Sequence, residues 1–366
     1  MSESDDPVPS QPAEAPAPRA GFSVLALSAI AAAILIGGGA LALVLRPHPA
    51  PTPVQETPTA NSAPIAAAVP APPPGAKVVS TNQWIEWSEE TDPLKAVYAV
   101  GTTLIQADTQ VGREDRRAVL HITGPDGSSI DVIGEAGADK ARVMFGVTRL
   151  DAAAQGDQVI VSSYTGGAHC CEDVKIAEQI NGRWTVISLG QWDGGLGDDF
   201  PRDIDGDGLH DLQFGDNNFL YAFASYAGSW PPPVIKNLHA GQADDVSKLP
   251  RFKSVFAKYA AEAAGECAKH DNGACAGFMA AAARLGTIDK QWPVMLANYD
   301  PKDDWTLPTA CRRPVKDKTC AKEDEVVFET YPEALRWFLG DLGYLPPVPL
   351  PSKGEKPAAP ESPHAG

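Results

Sequence analysis

The sequence predicts an α+β protein with a mainly antiparallel β domain, built as a sandwich or a partial propeller. A small disulfide-stapled helical domain follows it, and a transmembrane helix precedes it. The first observation is a series of short β-branched and aromatic runs between turn signals in residues 77–242. The second is a change to helical periodicity after about residue 250. The third is the uncharged apolar stretch 22–45.

The apolar stretch 22–45, FSVLALSAIAAAILIGGGALALVL, lies between Arg19 and Arg46. A helix of this length, at about 1.5 Å per residue, crosses a hydrocarbon core of roughly 30 Å. Ala40-Leu41-Ala42 has the small-x-small form of a cleavage site, so a cleaved signal peptide is an alternative. Because the apolar run continues past this site, an uncleaved signal anchor in the inner membrane is favoured.

The cysteines decide the predicted orientation, because one Arg at each end of the apolar stretch hardly distinguishes the two sides of the membrane. All six cysteines follow the stretch, and an even number favours an oxidising compartment. We therefore expect a single-pass membrane protein with most of its chain in the periplasm.

Composition divides the chain into six segments. Proline is concentrated before and after the predicted globular part, where such sequences cannot bury a core. The predicted segments are a cytoplasmic tail (1–21), the membrane anchor (22–45), a Pro/Ala-rich linker (46–76), the β domain (77–242), the helical domain with cysteines (243–346) and a disordered Pro-rich tail (347–366). The chain has 47 acidic and 30 basic residues, which argues against a nucleic-acid partner because phosphate binding needs a basic surface.

Within the β domain, the clearest element is a hairpin around Asn181-Gly182, a pair that suits a type I′ turn. The run at 218–228, NFLYAFASYAG, is expected to be another strand. Among the helices, one places Phe252, Val255, Phe256 and Tyr259 on an apolar face, and a second ends at Gly286. A third begins with a capping box at 330–333.

Four carboxylates are crowded into DIDGDGLHDL, residues 203–212. They occupy positions 1, 3, 5 and 9 of the run, and Gly208 at position 6 allows a sharp reversal. Hard oxygen ligands in a flexible loop suit Ca²⁺, which takes about 6–8 ligands. The predicted ligands are the side chains of Asp203, Asp205, Asp207 and Asp211 and the backbone carbonyl of Leu209. A metal-free acidic turn is the alternative.

This run resembles the D-x-D-x-D-G-x-x-D calcium loop of FG-GAP (integrin-type, VCBS-like) repeats. It departs from the EF-hand, because Phe214 stands where that motif needs a glutamate. The resemblance covers about ten residues and implies the ligand set given above, in a calcium-clamped hairpin between RWTVISLG and DLQFGD. Asp198 or Asp199 is expected to add an outer ligand. We expect the ion to stabilise the fold rather than to take part in a reaction.

The cysteines predict disulfides first, with a reactive or metal-binding site as the alternative. Cys267 with Cys275 and Cys311 with Cys320 are close enough in sequence for local bridges, although six cysteines allow fifteen pairings. Structural disulfide bonding is favoured for Cys170 and Cys171. A soft-metal or thiol-redox site at His169-Cys170-Cys171 stays open.

The sequence contains no nucleophile elbow, phosphate loop, H-E-x-x-H or C-x-x-C pattern. A calcium-stabilised binding or scaffolding module with an envelope protein or polymer as partner is therefore favoured, and we do not expect an enzyme. One alternative is a hydrolase of cell-wall or extracellular polymers, with the acidic loops or His169-Cys170 as its site. The other is thiol-redox chemistry at Cys170-Cys171.

Overall fold

The computed structural model describes residues 71–112, 115–137, 140–166, 171–313 and 319–350. The predicted anchor 22–45, the cytoplasmic tail, most of the linker and of the Pro-rich tail, His169 and Cys170 lie outside these residues. Within the described ranges, no helix is both long enough and apolar enough to cross a membrane.

Short β-branched and aromatic runs form the first ten strands, as their alternation of apolar and polar residues predicts. In chain order they are β1 (Lys77–Val79), β2 (Ile85–Ser88), β3 (Ala96–Val100), β4 (Thr103–Val111), β5 (Arg116–Thr123), β6 (Ser129–Ile133), β7 (Arg142–Thr148), β8 (Gln158–Tyr164), β9 (Glu172–Ile180) and β10 (Arg183–Trp192). They form two five-stranded sheets, β1-β3-β4-β5-β6 and β10-β9-β8-β7-β2. Neighbours pair antiparallel, apart from the parallel β1 and β3.

The two sheets share one apolar core, which contains Trp87 and Phe145 from the second sheet and Tyr98, Ile105 and Leu120 from the first. Side chains from two sheet faces interdigitate in this way in a sandwich. The hairpin predicted at Asn181-Gly182 joins β9 to β10, and both turn residues have positive φ, 52° and 74°. A type I′ turn requires this conformation, so that prediction is confirmed.

A third sheet covers the opposite face of the second one. It contains β11 (Leu212–Gly215), β12 (Pro233–His239) and β13 (Gln242–Asp245), in sequential antiparallel order. Ile160 and Ile176 of the second sheet share a core with Phe214 and Leu238 of this one. The prediction of a clamped hairpin between β10 and β11 is wrong, because β10 pairs with β9 and β11 pairs with β12.

The helical region follows the third sheet, which confirms the order of the two regions. It contains α1 (Lys253–Cys267), α2 (Asn272–Leu285), α3 (Ile288–Asn298), the short strands β14 (Ala310–Cys311) and β15 (Glu325–Val326), and α4 (Tyr331–Asp341). Phe252 and Phe256 are buried in its core, and Val255 and Tyr259 pack against that core as partly buried residues. Gly286 ends α2 in the left-handed conformation, as predicted.

Three local features differ from the sequence prediction. Residues 218–228 form two 3₁₀ turns instead of a strand, because Asp216 caps the first turn and Phe219 and Phe223, four residues apart, enter the helical core. Thr330 precedes α4 but makes no side-chain capping hydrogen bond, so the capping box is absent. Helix α3 was not predicted, since it contains Pro293, which ordinarily interrupts a helix.

Two disulfides lie in the helical region. Cys267–Cys275 joins the end of α1 to the first turn of α2, and Cys311–Cys320 closes the loop after β14. Cys171 is also disulfide-bonded, and no free cysteine occurs among the described residues. Helices α1 and α2 are thereby fixed as a covalently closed hairpin.

We predict that replacing Cys267 and Cys275 together by Ser destabilises the protein by about 2–3 kcal/mol, the loop-closure value for a ring of this size. Thermal and denaturant unfolding of the variant and the wild type measure the difference. Adding a reducing agent should lower the stability of the wild type more than that of the variant, because only the wild type has this disulfide to lose. Equal unfolding midpoints for the two proteins under oxidising conditions would contradict a stabilising role for this bridge.

Two acidic side chains lie deep in the β region without full hydrogen bonding. Glu178 in β9 is 0 % exposed and Asp151 is 1 % exposed. Neither carboxylate oxygen of Glu178 has a hydrogen-bond partner. Burial, and next the charge of Asp151, raise the pKa of Glu178 from 4.5 to about 7. The folded protein therefore binds one more proton than the unfolded chain between these pH values, and stability falls as the pH rises through them.

We predict that Glu178→Gln stabilises the protein more at pH 8 than at pH 5. The pKa difference corresponds to a cost on the order of 3 kcal/mol for the charged form, and the amide cannot ionise. Melting temperatures at the two pH values measure the effect. Exposed Glu86→Gln serves as the control. An equal shift at both pH values would show that Glu178 does not titrate as described.

Candidate metal site

The acidic loop lies in the connection between β10 and β11 and reverses sharply at two glycines. Gly206 and Gly208 have φ values of 85° and 88°, which L side chains rarely adopt. Asp203 holds the reversal, since its Oδ1 accepts a hydrogen bond from the N–H of Gly206 at 2.7 Å and its Oδ2 from that of Gly208 at 3.0 Å. The spacing of Asp and Gly therefore builds a local turn around the Asp203 carboxylate.

Three of the four predicted carboxylates converge. Asp203, Asp205 and Asp211 each place an oxygen within 4.8 Å of the others, although the residues range from exposed (Asp203) to buried (Asp211). They are the only such group of acidic, histidine or cysteine side chains in the part of the chain that the structure describes. Such convergence of like charges is costly unless a positive group compensates it.

The other predicted ligands are arranged differently. Asp207 is outside the convergent group, and its Oδ1 accepts a hydrogen bond from the backbone N–H of Leu209 at 2.9 Å. Asp198 and Asp199, proposed above as outer ligands, are exposed and also outside the group. The structure thus assembles a smaller carboxylate set than the sequence suggests.

Asp211 is fixed by the third sheet. Its Oδ2 accepts a hydrogen bond from the N–H of Ile204 at 2.7 Å, and its Oδ1 accepts one from Asn237 Nδ2 of β12 at 2.6 Å. Burial raises the pKa of Asp211, and the neighbouring charges of Asp205 and Asp207 add to this effect. Backbone N–H groups, first that of Gly208, lower the pKa of Asp203. The pKa values of the two carboxylates at the ends of the loop are thus shifted in opposite directions, down for Asp203 and up for Asp211.

Asp205 points toward the helical region. Its side chain is 1 % exposed, and Nε of Arg251, just before α1, lies 2.6 Å from its Oδ2. The two atoms are close enough for an ion pair but are not aligned for a hydrogen bond, so this oxygen still lacks a hydrogen-bond partner. Arg251 therefore supplies one positive charge to Asp205, a member of the convergent group.

Sequence reasoning did not find Asn237 or Arg251. Asn237 follows from strand register: β11 and β12 pair Leu212 with Lys236, which places Asp211 opposite Asn237. Recognising that hairpin in the sequence would have found it. Arg251 lies 46 positions after Asp205, and no local pattern connects the two.

The arrangement provides oxygen ligands for a hard cation. Two oxygens bound to one Ca²⁺ lie at most about 5 Å apart, because each bond is about 2.3–2.6 Å long. The convergent group satisfies this limit, with its oxygens within 4.8 Å. The same hydrogen bonds that fix Asp203 and Asp211 make them rigid elements of the loop.

Of the cysteine-region residues singled out in the sequence, His169 and Cys170 lie outside the described residues. Cys171 is disulfide-bonded. Thr165 fixes its backbone, because Cys171 N–H donates to Thr165 Oγ1 at 3.0 Å and Thr165 N–H donates to the Cys171 carbonyl at 2.9 Å. Cys171 is thus held in the structure as a bonded residue at the start of β9.

Comparison with known proteins finds one matching family model and two similar proteins. Residues 252–343 match the family model described as the sll0997 C-terminal domain. The chain is 36 % identical over 195 residues to the probable thylakoid lumen protein sll0997 of Synechocystis sp., covering 51 % of this chain and 56 % of that protein. It is 35 % identical over 236 residues to the uncharacterized protein y4bJ of Sinorhizobium fredii, covering 59 % of this chain and 36 % of that protein.

The chain thus spans about half or less of the length of these relatives. No solved structure matches it. The family model covers α1 to α4 and includes neither the acidic loop nor Arg251.

We predict that Arg251→Gln lowers the melting temperature more in the presence of a chelator than in the presence of Ca²⁺. Removing Arg251 leaves the buried Asp205 carboxylate without its positive partner, at a cost of about 2 kcal/mol after allowing for the half-exposed guanidinium. A bound cation would replace the missing charge. Lys253→Gln removes the same charge from an exposed residue that forms no ion pair with any described residue, and it is the control. An equal loss of stability with chelator and with Ca²⁺ would contradict the prediction, because it would show that no bound cation replaces the charge of Arg251.

Proposed function

We propose that this protein is a non-catalytic binding or scaffolding module of the cell envelope, held at the inner membrane by residues 22–45 and stabilised by Ca²⁺ at the acidic loop. The observation that carries the proposal is the convergence of Asp203, Asp205 and Asp211. Through Asn237 and Arg251, this group is connected both to the third sheet and to the start of the helical region.

The donor set supports Ca²⁺ rather than a softer metal, because every converging atom is a carboxylate oxygen. The loop sequence supports it independently through its resemblance to FG-GAP calcium loops. In this proposal Asp203, Asp205 and Asp211 bind the ion, and the side chain of Asp207 and the carbonyl of Leu209 complete the ligand set.

The location outside the cytoplasm rests on the cysteines and on one relative. Cys267–Cys275 and Cys311–Cys320 are disulfides, which persist in oxidising compartments. One relative bears the name of a probable thylakoid lumen protein, and a lumen is likewise outside the cytoplasm. Residues 22–45 supply an anchor of suitable length, and the Pro/Ala-rich linker 46–76 holds the globular part away from the membrane.

A role in binding is favoured over catalysis by how the acids are used. Both carboxylate oxygens of Asp203 accept hydrogen bonds from backbone N–H groups of the loop. Those of Asp211 accept one from the backbone N–H of Ile204 and one from the side chain of Asn237. Such acids are fixed as structural groups, whereas a general acid or base exchanges its proton with a substrate. We infer that the loop holds the sheets and helices in place for a partner, an envelope protein or polymer.

We predict that titration of Ca²⁺ into the chelator-treated, full-length chain in detergent shows one saturable site and a raised melting temperature. Asp205→Asn removes one converging charge and should abolish both effects. Asp198→Asn is the matched control, since it removes a charge from an exposed acid outside the group. Calorimetry with all three proteins measures the difference. If the wild type takes up no Ca²⁺, or if Asp205→Asn binds it as the wild type does, the calcium site is wrong.

A further inference from the structure

A second acidic site lies in the helical region, and its lining includes no residue of the acidic loop. A cavity of about 160 Å³ is lined by the start of α2, the segment after α3 and the start of α4. Its lining combines aromatic rings, chiefly Tyr299, Trp305 and Tyr331, with three carboxylates. The lining residues include these acids but no Lys, Arg or His.

The aromatic wall is firmly positioned. The rings of Tyr299 and Tyr331 stack with centroids 5.4 Å apart and planes inclined by 13°. The hydroxyl of the buried Tyr331 donates to the carbonyl of Asn272 at 2.7 Å. The indole N–H of Trp305 donates to the carbonyl of Tyr221 at 3.0 Å. These contacts hold the rings beside the cavity before any ligand enters.

Asn272, which is 5 % exposed, fixes the acidic side. Its Nδ2 donates to the Asp300 carbonyl at 3.0 Å and to Asp303 Oδ2 at 2.9 Å, and its Oδ1 accepts from the N–H of Asp300 at 2.9 Å. A buried amide thus clamps the segment that carries two of the carboxylates. The third, Glu329, lies in the connection before α4.

The three carboxylates have no cationic partner in the part of the chain that the structure describes. Among the described residues, no Lys, Arg or His forms an ion pair with Asp300, Asp303 or Glu329. Lys302 lies on the same segment but does not line the cavity. Their oxygens also do not converge at metal-ligand distances, unlike those of the acidic loop. The spacing therefore favours a cation larger than a metal ion.

We infer that this cavity, the aromatic-acidic pocket, binds an organic ammonium group. Ammonium groups are attracted to the faces of Tyr and Trp rings within about 6 Å, and carboxylates add charge complementarity. At 160 Å³ the pocket holds about five water volumes, so it accommodates an alkylammonium head rather than a drug-sized ligand. The inference rests on the proposed binding function, to which it adds a ligand class, but its geometry is independent of calcium.

The test uses n-butylammonium as the probe and n-butanol as its neutral counterpart, with the full-length chain in detergent and ligand-observed NMR. We expect saturable binding of the ammonium and much weaker binding of the alcohol. Glu329→Gln and Trp305→Phe should each weaken the affinity by about two- to fivefold, the effect of losing one exposed charge or one strong cation–π contact. Circular dichroism verifies that both variants fold.

Glu323→Gln is the matched control, because Glu323 is an exposed acid of the preceding turn and does not line the pocket. The inference is overturned if n-butylammonium does not saturate, if the alcohol binds equally well, or if Glu329→Gln behaves as Glu323→Gln does. Repeating the titration with Ca²⁺ and with a chelator separates the two sites. Ammonium binding that survives in Asp205→Asn supports the pocket even where the calcium proposal fails.

The same measurement identifies the source of the ammonium group. N-acetyl-lysine N-methylamide presents it as a polypeptide side chain, whereas n-butylammonium presents it as a free amine. Equal affinities support a lysine of a protein partner, and a clear preference for n-butylammonium supports a free amine. A lysine derivative acetylated on its side chain lacks the charge and should not bind, and its binding would count against the pocket.

Discussion

Burial of both faces of the second sheet is the constraint on which the rest of this structure depends. Every residue of β8 from Gln158 to Ser163 is buried. One face packs against the first sheet and the other against the third. A strand buried on both faces has no solvent side, so the flanking sheets must both be present for it to be stable. The third sheet in turn gives Ile235 to the helical core.

The acidic loop lies where these layers meet. It connects β10 of the second sheet to β11 of the third. Its carboxylates contact Asn237 of β12 and Arg251, just before α1. Its position explains why the charges are crowded, because each carboxylate contacts a different part of the protein. Asp203 shapes the turn, Asp211 joins the third sheet, and Asp205 reaches the helical region. A cation at their meeting point would connect all three.

The sequence predicts elements that depend on local chemistry. Asn181-Gly182 specifies its turn, Gly286 ends its helix, and Cys267 and Cys275 are near enough to pair, because each result depends on a few adjacent residues. Residues 218–228 were misread as a strand because their aromatic composition suits a strand. The structure instead uses the four-residue spacing of Phe219 and Phe223 to fill the helical core.

The candidate site was predictable to a similar extent. The reversal at Gly208 and the closeness of Asp203, Asp205 and Asp211 were expected from their spacing. The pairing of β11 with β12 is not local, so Asn237 was missed, and the contact of Arg251 depends on the packing of the helical region against the loop. Local spacing thus identifies the candidate carboxylates, whereas tertiary packing selects which of them converge.

The two acidic sites have three carboxylates each but differ in how these are arranged, and the arrangement determines which cation each site would suit. In the loop, three carboxylate oxygens lie within 4.8 Å of one another, and one of the three acids, Asp205, is paired with Arg251. The space between these oxygens would suit a single hard ion. In the aromatic-acidic pocket, three carboxylates are spread around stacked rings and share no cationic partner among the described residues. An ion of metal size would contact too few of these oxygens. An ammonium group with an apolar stem would contact both the acids and the rings, so we propose that acidic side chains serve two different cations in one chain.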